Sequence, residues 1–241
     1  MQGQPGAVGG TGFSGAAVAA VLLVLGASSP ALANRPSFAG SGAPSPGAAV
    51  RFSDPSVSRV IYYELTADAP VQWFAVESDR PQELRVQLGV PVGPSQVAGE
   101  PALALFGPGL DGRLEGVAIE PPPGTSRGGL AVSANGQPEE FYEPVTGTRS
   151  LIVGEARVQL PSAGTYYGAV FDVRGQEGKL WVALGEREVF TWRDLPRLFQ
   201  WIRKARAFHE LSGWPRWMGV AGGGILALAV TAAVLVRRLA G

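Results

Sequence analysis

The sequence predicts an all-β fold, an antiparallel β-sandwich of jelly-roll type, followed by a juxtamembrane helix and one transmembrane helix. Three observations carry this reading. Between Arg59 and Trp192, short apolar runs alternate with period two, and turn residues rather than helical stretches separate them. From Asp194 the apolar spacing becomes that of a helix. From Trp217 to Val236 there is no charged residue, and as a helix these residues would rise about 30 Å, the thickness of a bilayer's hydrocarbon core.

Residues 1–33 read as a signal peptide. An apolar run centred on Val18 to Leu25 precedes Ala31-Leu32-Ala33, a small-residue cleavage signal, although no Lys or Arg stands before the run. Residues 34–58 are rich in Pro, Ser, Gly and Ala and poor in bulky apolar side chains. That composition predicts a flexible linker.

Residues 59–193 are the predicted sandwich ectodomain. The clearest strand is Glu83 to Leu88, with Leu84, Val86 and Leu88 on one face and Glu83, Arg85 and Gln87 on the other. Further runs are Val60–Leu65, Val71–Glu77, Ala102–Phe106, Leu114–Ile119, Gly129–Ser133, Ala156–Leu160, Thr165–Val173, Lys179–Leu184 and Val189–Trp192. Gly-Pro, Pro-Pro-Pro, Asn-Gly and Ala-Gly turns punctuate them. The aromatic residues come in adjacent pairs such as Tyr62-Tyr63, Trp73-Phe74 and Tyr166-Tyr167. Successive side chains point to opposite faces, so half of them lie outside the core, under cover or as an exposed strip.

Residues 194–213 form an amphipathic helix, with Asp194 as N-cap, Pro196 in the first turn and Gly213 as the stop. Leu195, Leu198, Phe199, Ile202 and Ala205 share one face, which either lies on lipid or packs under the sandwich. Residues 214–236 are the transmembrane helix and 237–241 the cytoplasmic tail. Trp201, Phe208, Trp214 and Trp217 are the predicted interfacial anchors, and Arg237 and Arg238 hold the tail inside. Gly219, Gly223 and Ala227 recur every four residues, a small-residue face for packing against a second span or a second copy.

Charge divides along the same boundaries. Residues 34–193 carry 13 cationic side chains against 18 acidic ones, and residues 194–216 carry five against two, so an acidic body stands above a basic collar. The chain has 18 Arg, two Lys and no net charge, which excludes a nucleic-acid partner. It has no cysteine, which excludes disulfides and thiolate metal sites and favours a bacterial source.

No phosphate loop, dinucleotide fingerprint or nucleophile elbow is present. The single histidine, His209, sits in the juxtamembrane helix, far in sequence from any strand-borne serine, and reads as an interfacial residue. The densest carboxylates lie in Glu139 to Glu143; of these Glu140 and Glu143 could join Asp172 as oxygen ligands for calcium, or two carboxylates could supply an acid/base pair for hydrolysis. A solvated loop is the simpler reading.

The stretch Leu160-Pro161-Ser162-Ala163-Gly164-Thr165-Tyr166-Tyr167-Gly168-Ala169-Val170-Phe171 resembles the late strand of bacterial prepeptidase C-terminal domains. That resemblance implies an extracytoplasmic jelly-roll sandwich. Phe141 to Pro144, Gly178 to Glu186 and the basic helix ending Phe208-His209 resemble an uncharacterised group of bacterial membrane-anchored proteins, which implies topology and no activity.

The expectation is therefore a single-pass protein of the cytoplasmic membrane, its sandwich outside and its C-terminus inside. It would act without catalytic residues or cofactor, as a binding or accessory subunit for a membrane protein, a second copy or a surface glycan. The alternative is a membrane-tethered hydrolase using Glu140 or Glu143.

Overall fold

A computed structural model describes residues 35–112, 119–125, 129–133, 137–189, 194–215 and 218, all within the unit Ala31–Gly241. The described strands are β1 (Arg35–Gly40), β2 (Val50–Phe52), β3 (Arg59–Leu65), β4 (Val71–Ser78), β5 (Gln82–Pro91) and β6 (Pro101–Phe106). They continue as β7 (Gly129–Ser133), β8 (Glu139–Glu143), β9 (Thr148–Leu160), β10 (Gly164–Asp172) and β11 (Gly178–Leu184). One α-helix follows, α1 (Leu195–Phe208).

The strands form two sheets. Sheet A has the order β1-β3-β11-β5-β9-β8, and sheet B the order β2-β4-β10-β6-β7. From β1 to β6 the chain changes sheet at every strand. That crossing explains the two parallel edge pairs, β1 with β3 and β2 with β4, in an otherwise antiparallel sandwich. The core is filled by alternate residues of both sheets: Ile61, Tyr63, Leu84, Leu88 and Leu180 from sheet A, Phe74, Leu103, Leu105, Tyr166 and Val170 from sheet B. Tyr63 spans the layers, its hydroxyl donating to the Trp73 carbonyl at 3.0 Å.

The Ala-Gly-Thr-Tyr-Tyr stretch acquires a physical role here. The Tyr166 hydroxyl accepts the Ser162 N–H (3.2 Å) and lies 2.8 Å from the Ser162 carbonyl and 3.1 Å from that of Pro108. Its ring occupies the space above Gly107, where any Cβ would come within 2.2 Å of it. A tyrosine hydroxyl that bonds back to backbone just upstream pins a sandwich corner.

Of the predicted linker 34–58, the described residues 35–58 are not the flexible tether that their composition suggests. β1 adds to the edge of sheet A and β2 to the edge of sheet B. Ala43, between them, is fastened to β4: its N–H donates to Gln72 Oε1 at 2.9 Å and its carbonyl accepts the Trp73 N–H at 2.8 Å. Phe38 stacks on Tyr62 with ring centroids 4.8 Å apart, and Phe52 is buried in the core. Widely spaced apolar residues suffice because each edge strand covers one side of a sheet already formed.

The predicted strands Leu114–Ile119 and Val189–Trp192 lie almost wholly outside the described residues, as do the signal peptide and the charge-free run from Trp217. Among the described residues, no helix is long and apolar enough to cross a membrane.

Deleting residues 34–58 tests the built-in segment. A linker could be removed without thermal consequence. Loss of the contacts of buried Phe52 and half-buried Phe38 and Val50 predicts a penalty of about 4 kcal/mol, a drop of about 10 °C in melting temperature by circular dichroism.

Candidate functional site

The outer face of sheet A is apolar in one cross-strand row. Strand register aligns Tyr62 of β3 with Trp181 of β11, then Gly89 of β5 and Ile152 of β9. The Trp181 indole lies across Gly89, where a Cβ would fall 2.1 Å from the ring, so only glycine admits it. β5 and β9 shift register between Leu88 and Gly89, at the same point.

α1 covers this face. Ile202, Ala205 and, just past the helix end, His209 are buried, and Leu198 and Trp201 are half-buried beside them. Phe208 meets the Tyr62 ring edge-on at 4.8 Å. The amphipathic helix therefore packs on the sandwich, through a face that excludes Phe199, which is 53% exposed. Asp194 makes no side-chain cap; it pairs with Arg35 of β1 at 2.9 Å. The helix ends at Phe208, before the expected Gly213. Arg206, buried, closes the far end. Its Nε, Nη1 and Nη2 donate to the carbonyls of Gly213 (2.8 Å), Thr146 (2.8 Å) and Ser212 (2.9 Å), which binds helix, following loop and the β8–β9 turn together.

Between α1 and the sheet remains a cleft of about 110 Å³. Its walls include Tyr62, Phe141, Trp181 and Trp201, with Ile152 and Ile202. Its polar lining includes Glu143, Thr148, Ser150 and His209. The β8–β9 register places these groups: Phe141 pairs with Ser150 and Glu143 with Thr148, so all four share the side facing α1.

His209 and Ser150 form a buried pair. The Ala205 carbonyl, 2.8 Å from Nδ1, can only accept, so the neutral ring carries its proton there. Nε2 is then the acceptor, and Ser150 Oγ–H donates to it at 3.0 Å. Burial holds the His209 pKa below the ordinary range, and Lys179 adds to the effect against the opposing Ala205 carbonyl. Glu143 is the opposite case. Burial pushes its carboxyl up to about 7, although the Val145 N–H donates to Oε1 at 2.9 Å.

The proposed cation ligands are not brought together. Glu140 and Glu143, three residues apart on β8, point to opposite faces of the sheet, and Glu140 is exposed and paired with Arg149 at 3.1 Å. This also dismantles the two-carboxylate hydrolytic pair. Asp172 belongs to sheet B, where Oδ1 accepts the N–H groups of Arg174 and Gln176, both at 2.9 Å, in a turn. Among the described residues no three His, Cys, Asp or Glu side chains are grouped to hold a metal ion.

Of the interfacial anchors, Trp201 and Phe208 face the sandwich. Trp214 is 52% exposed, edge-on to Phe199 at 6.2 Å. Trp217, Arg237, Arg238, Gly219, Gly223 and Ala227 lie outside the described residues. Sequence reasoning missed Ser150 and His209 as a pair. The signal for the histidine was present: Leu198, Ile202, Ala205 and His209 fall at helical spacing on one face.

No family model matches the chain, and no curated protein does. Among solved structures it is similar to the pre-peptidase C-terminal domain of a collagenase from Bacillus anthracis, at 12% identity and a TM-score of 0.34, over 56% of this chain and 93% of that one. It is also similar to CorA, a surface-associated copper-binding protein of Methylomicrobium album BG8, at 11% identity and a TM-score of 0.29, over 64% of this chain and all of that one. Identity and superposition are too low for either likeness to carry an argument.

The Glu143 carboxyl makes a signed prediction. Its folded pKa of about 7 lies above the ordinary 4.5, so the folded state disfavours the charged form, and stability is lost as pH rises between those values. Glu143→Gln should stabilise the protein by about 1–2 kcal/mol at pH 8 and by almost nothing at pH 4, by urea denaturation. An equal effect at both pH values would contradict the buried carboxyl.

Proposed function

We propose that the protein is a single-span, membrane-anchored binding or accessory protein, not an enzyme, that presents its sandwich outside the cytoplasmic membrane and takes a ligand in the cleft beneath α1. The cleft is the observation that supports binding. Sheet and helix leave open a space walled by four aromatic rings, with a few polar groups on one side, the usual construction of a ligand site. The charge-free run before Arg237 and Arg238 supports the anchor and its orientation. The alternative, a membrane-tethered hydrolase, would have to use Glu140 or Glu143 singly, since the two point to opposite faces of the sheet.

Two measurements test this. The chain has no cysteine, so single-cysteine variants report topology directly. Glu177→Cys, in the exposed β10–β11 connection, should react with an impermeant maleimide in intact spheroplasts, and Gly241→Cys only after permeabilisation. The reverse pattern overturns the orientation. For binding, fluorotryptophan-labelled protein is screened by fluorine NMR against fragments of both charges and none. Hits should move the Trp181 and Trp201 resonances and leave that of Trp73, on sheet B, in place. If no fragment moves them at millimolar concentration, the cleft is not a ligand site.

A further inference from the structure

We infer that the ligand of the cleft carries an organic ammonium group, seated against the Glu143 carboxylate and the rings of Tyr62, Phe141, Trp181 and Trp201. The inference rests on the cleft being the ligand site, and adds its chemistry.

Several other carboxylates of this protein have a cationic partner. Asp54, Glu83, Glu140, Glu155 and Glu210 stand at or near the surface, and each pairs with an Arg or Lys. Glu143 is half-buried and, among the described residues, makes no ion pair and receives only the Val145 N–H, whereas Asp172, buried and also without an ion pair, is held by the two N–H groups of its own turn. Among the described residues, the cations of α1 and β11 near this region are committed elsewhere. Arg206 of α1 gives Nε, Nη1 and Nη2 to backbone carbonyls, and Lys179 of β11 pairs with Glu210 at 3.1 Å. The other titratable groups lining the cleft are Tyr62 of β3 and His209. The Tyr62 phenol is pushed up first by burial and then by the Glu143 charge, which places the two side chains within electrostatic reach. Burial holds the His209 pKa below its ordinary value.

An unpaired carboxylate in a desolvated cleft selects the sign of what enters. A neutral or anionic ligand removes more water from it and returns nothing, whereas a cation repays the desolvation. Aromatic faces select the kind of cation. Their quadrupoles attract an alkylated ammonium, which sheds water readily. A hard metal ion needs six or more oxygen ligands, and one carboxylate among rings does not supply them.

The test uses choline, its uncharged isostere with carbon in place of nitrogen, and the fluorotryptophan resonances as readout. Choline should bind at least about tenfold tighter than the isostere at pH 8. The gap should close at pH 5, where Glu143 is protonated, and vanish in Glu143→Gln, which is expected to fold at least as well as wild type. Phosphatidylcholine vesicles that displace choline identify a lipid headgroup as the source, and vesicles without effect identify a free amine. If the isostere binds as tightly as choline, or only uncharged and anionic fragments bind, the cleft remains a ligand site and the ammonium inference is overturned. If no fragment of any charge binds, both fall.

Discussion

Strands that carry apolar side chains on both faces oblige a sandwich to cover three layers rather than one. Tyr62 and Tyr63, Trp73 and Phe74, and Tyr166 and Tyr167 each send one ring inward and one outward. The inward rings, Tyr63, Phe74 and Tyr166, join the core between the sheets. On sheet B the outward rings form a second cluster, in which Trp73 stacks on Phe106 at 6.0 Å and Tyr167 and Ile119 pack alongside. On sheet A the outward row is Tyr62 and Trp181, and its cover is α1. The helix is thus a structural necessity of the sheet, and leaving the row bare would expose several large rings to water.

Once the helix is required, its attachments follow. Its own contribution is modest, because a helix of 14 residues is marginal alone and depends on packing for most of its stability. It is pinned at both ends by groups distant in sequence: Arg35 holds Asp194, and Arg206 and His209 hold the β8–β9 hairpin. A guanidinium with three carbonyl acceptors is well suited to this. Hydrogen bonds to a charged group contribute about 1.5–3 kcal/mol each, and the acceptors are backbone oxygens that a turn would otherwise leave unmet. The hydroxyls of Thr146 and Thr148, 2.7 Å apart, complete the same turn. The helix spans the sheet without filling the space above Ser150 and Glu143, and this gap is the cleft. Two of its titratable groups, Glu143 and His209, oppose each other. The raised Glu143 costs stability as pH rises from about 4.5 toward 7, whereas the depressed His209 costs stability as pH falls below 6.5, so the two pull the pH dependence of the fold in opposite directions.

The sandwich was legible wherever one face of a strand is buried and the other is wet. β5 reads as a strand at once because Leu84, Val86 and Leu88 are fully buried and Glu83, Arg85 and Gln87 are not. β1 and β2 were illegible because an edge strand needs few apolar residues of its own, and their Pro, Gly and Ser imitate a tether. β8, Glu-Glu-Phe-Tyr-Glu, shows no alternation because it too is an edge, with both faces largely open. The C-terminal amphipathic helix α1 was legible as a helix. Whether its apolar face met lipid or protein was not, since either surface accepts the same side chains.

The first half of β9 was missed for a different reason, and that reason bears on the site. Thr148 and Ser150 occupy outward positions that an ordinary covered strand fills with Val or Ile, so the run loses its period where it passes under the helix. Glu143 sits opposite Thr148 in the same row, and His209 completes the group from 59 residues beyond Ser150, a pairing no local pattern announces. Apolar side chains at these positions would close the gap and remove the cost of a buried acid. A fold that keeps polar groups there, with the acid unpaired, gives up stability at one place while obeying the packing rules elsewhere. Such local departures collect at functional sites, because selection for a ligand is what opposes selection for packing. The failure of the strand pattern along β8 and β9 therefore points to the same place as the geometry.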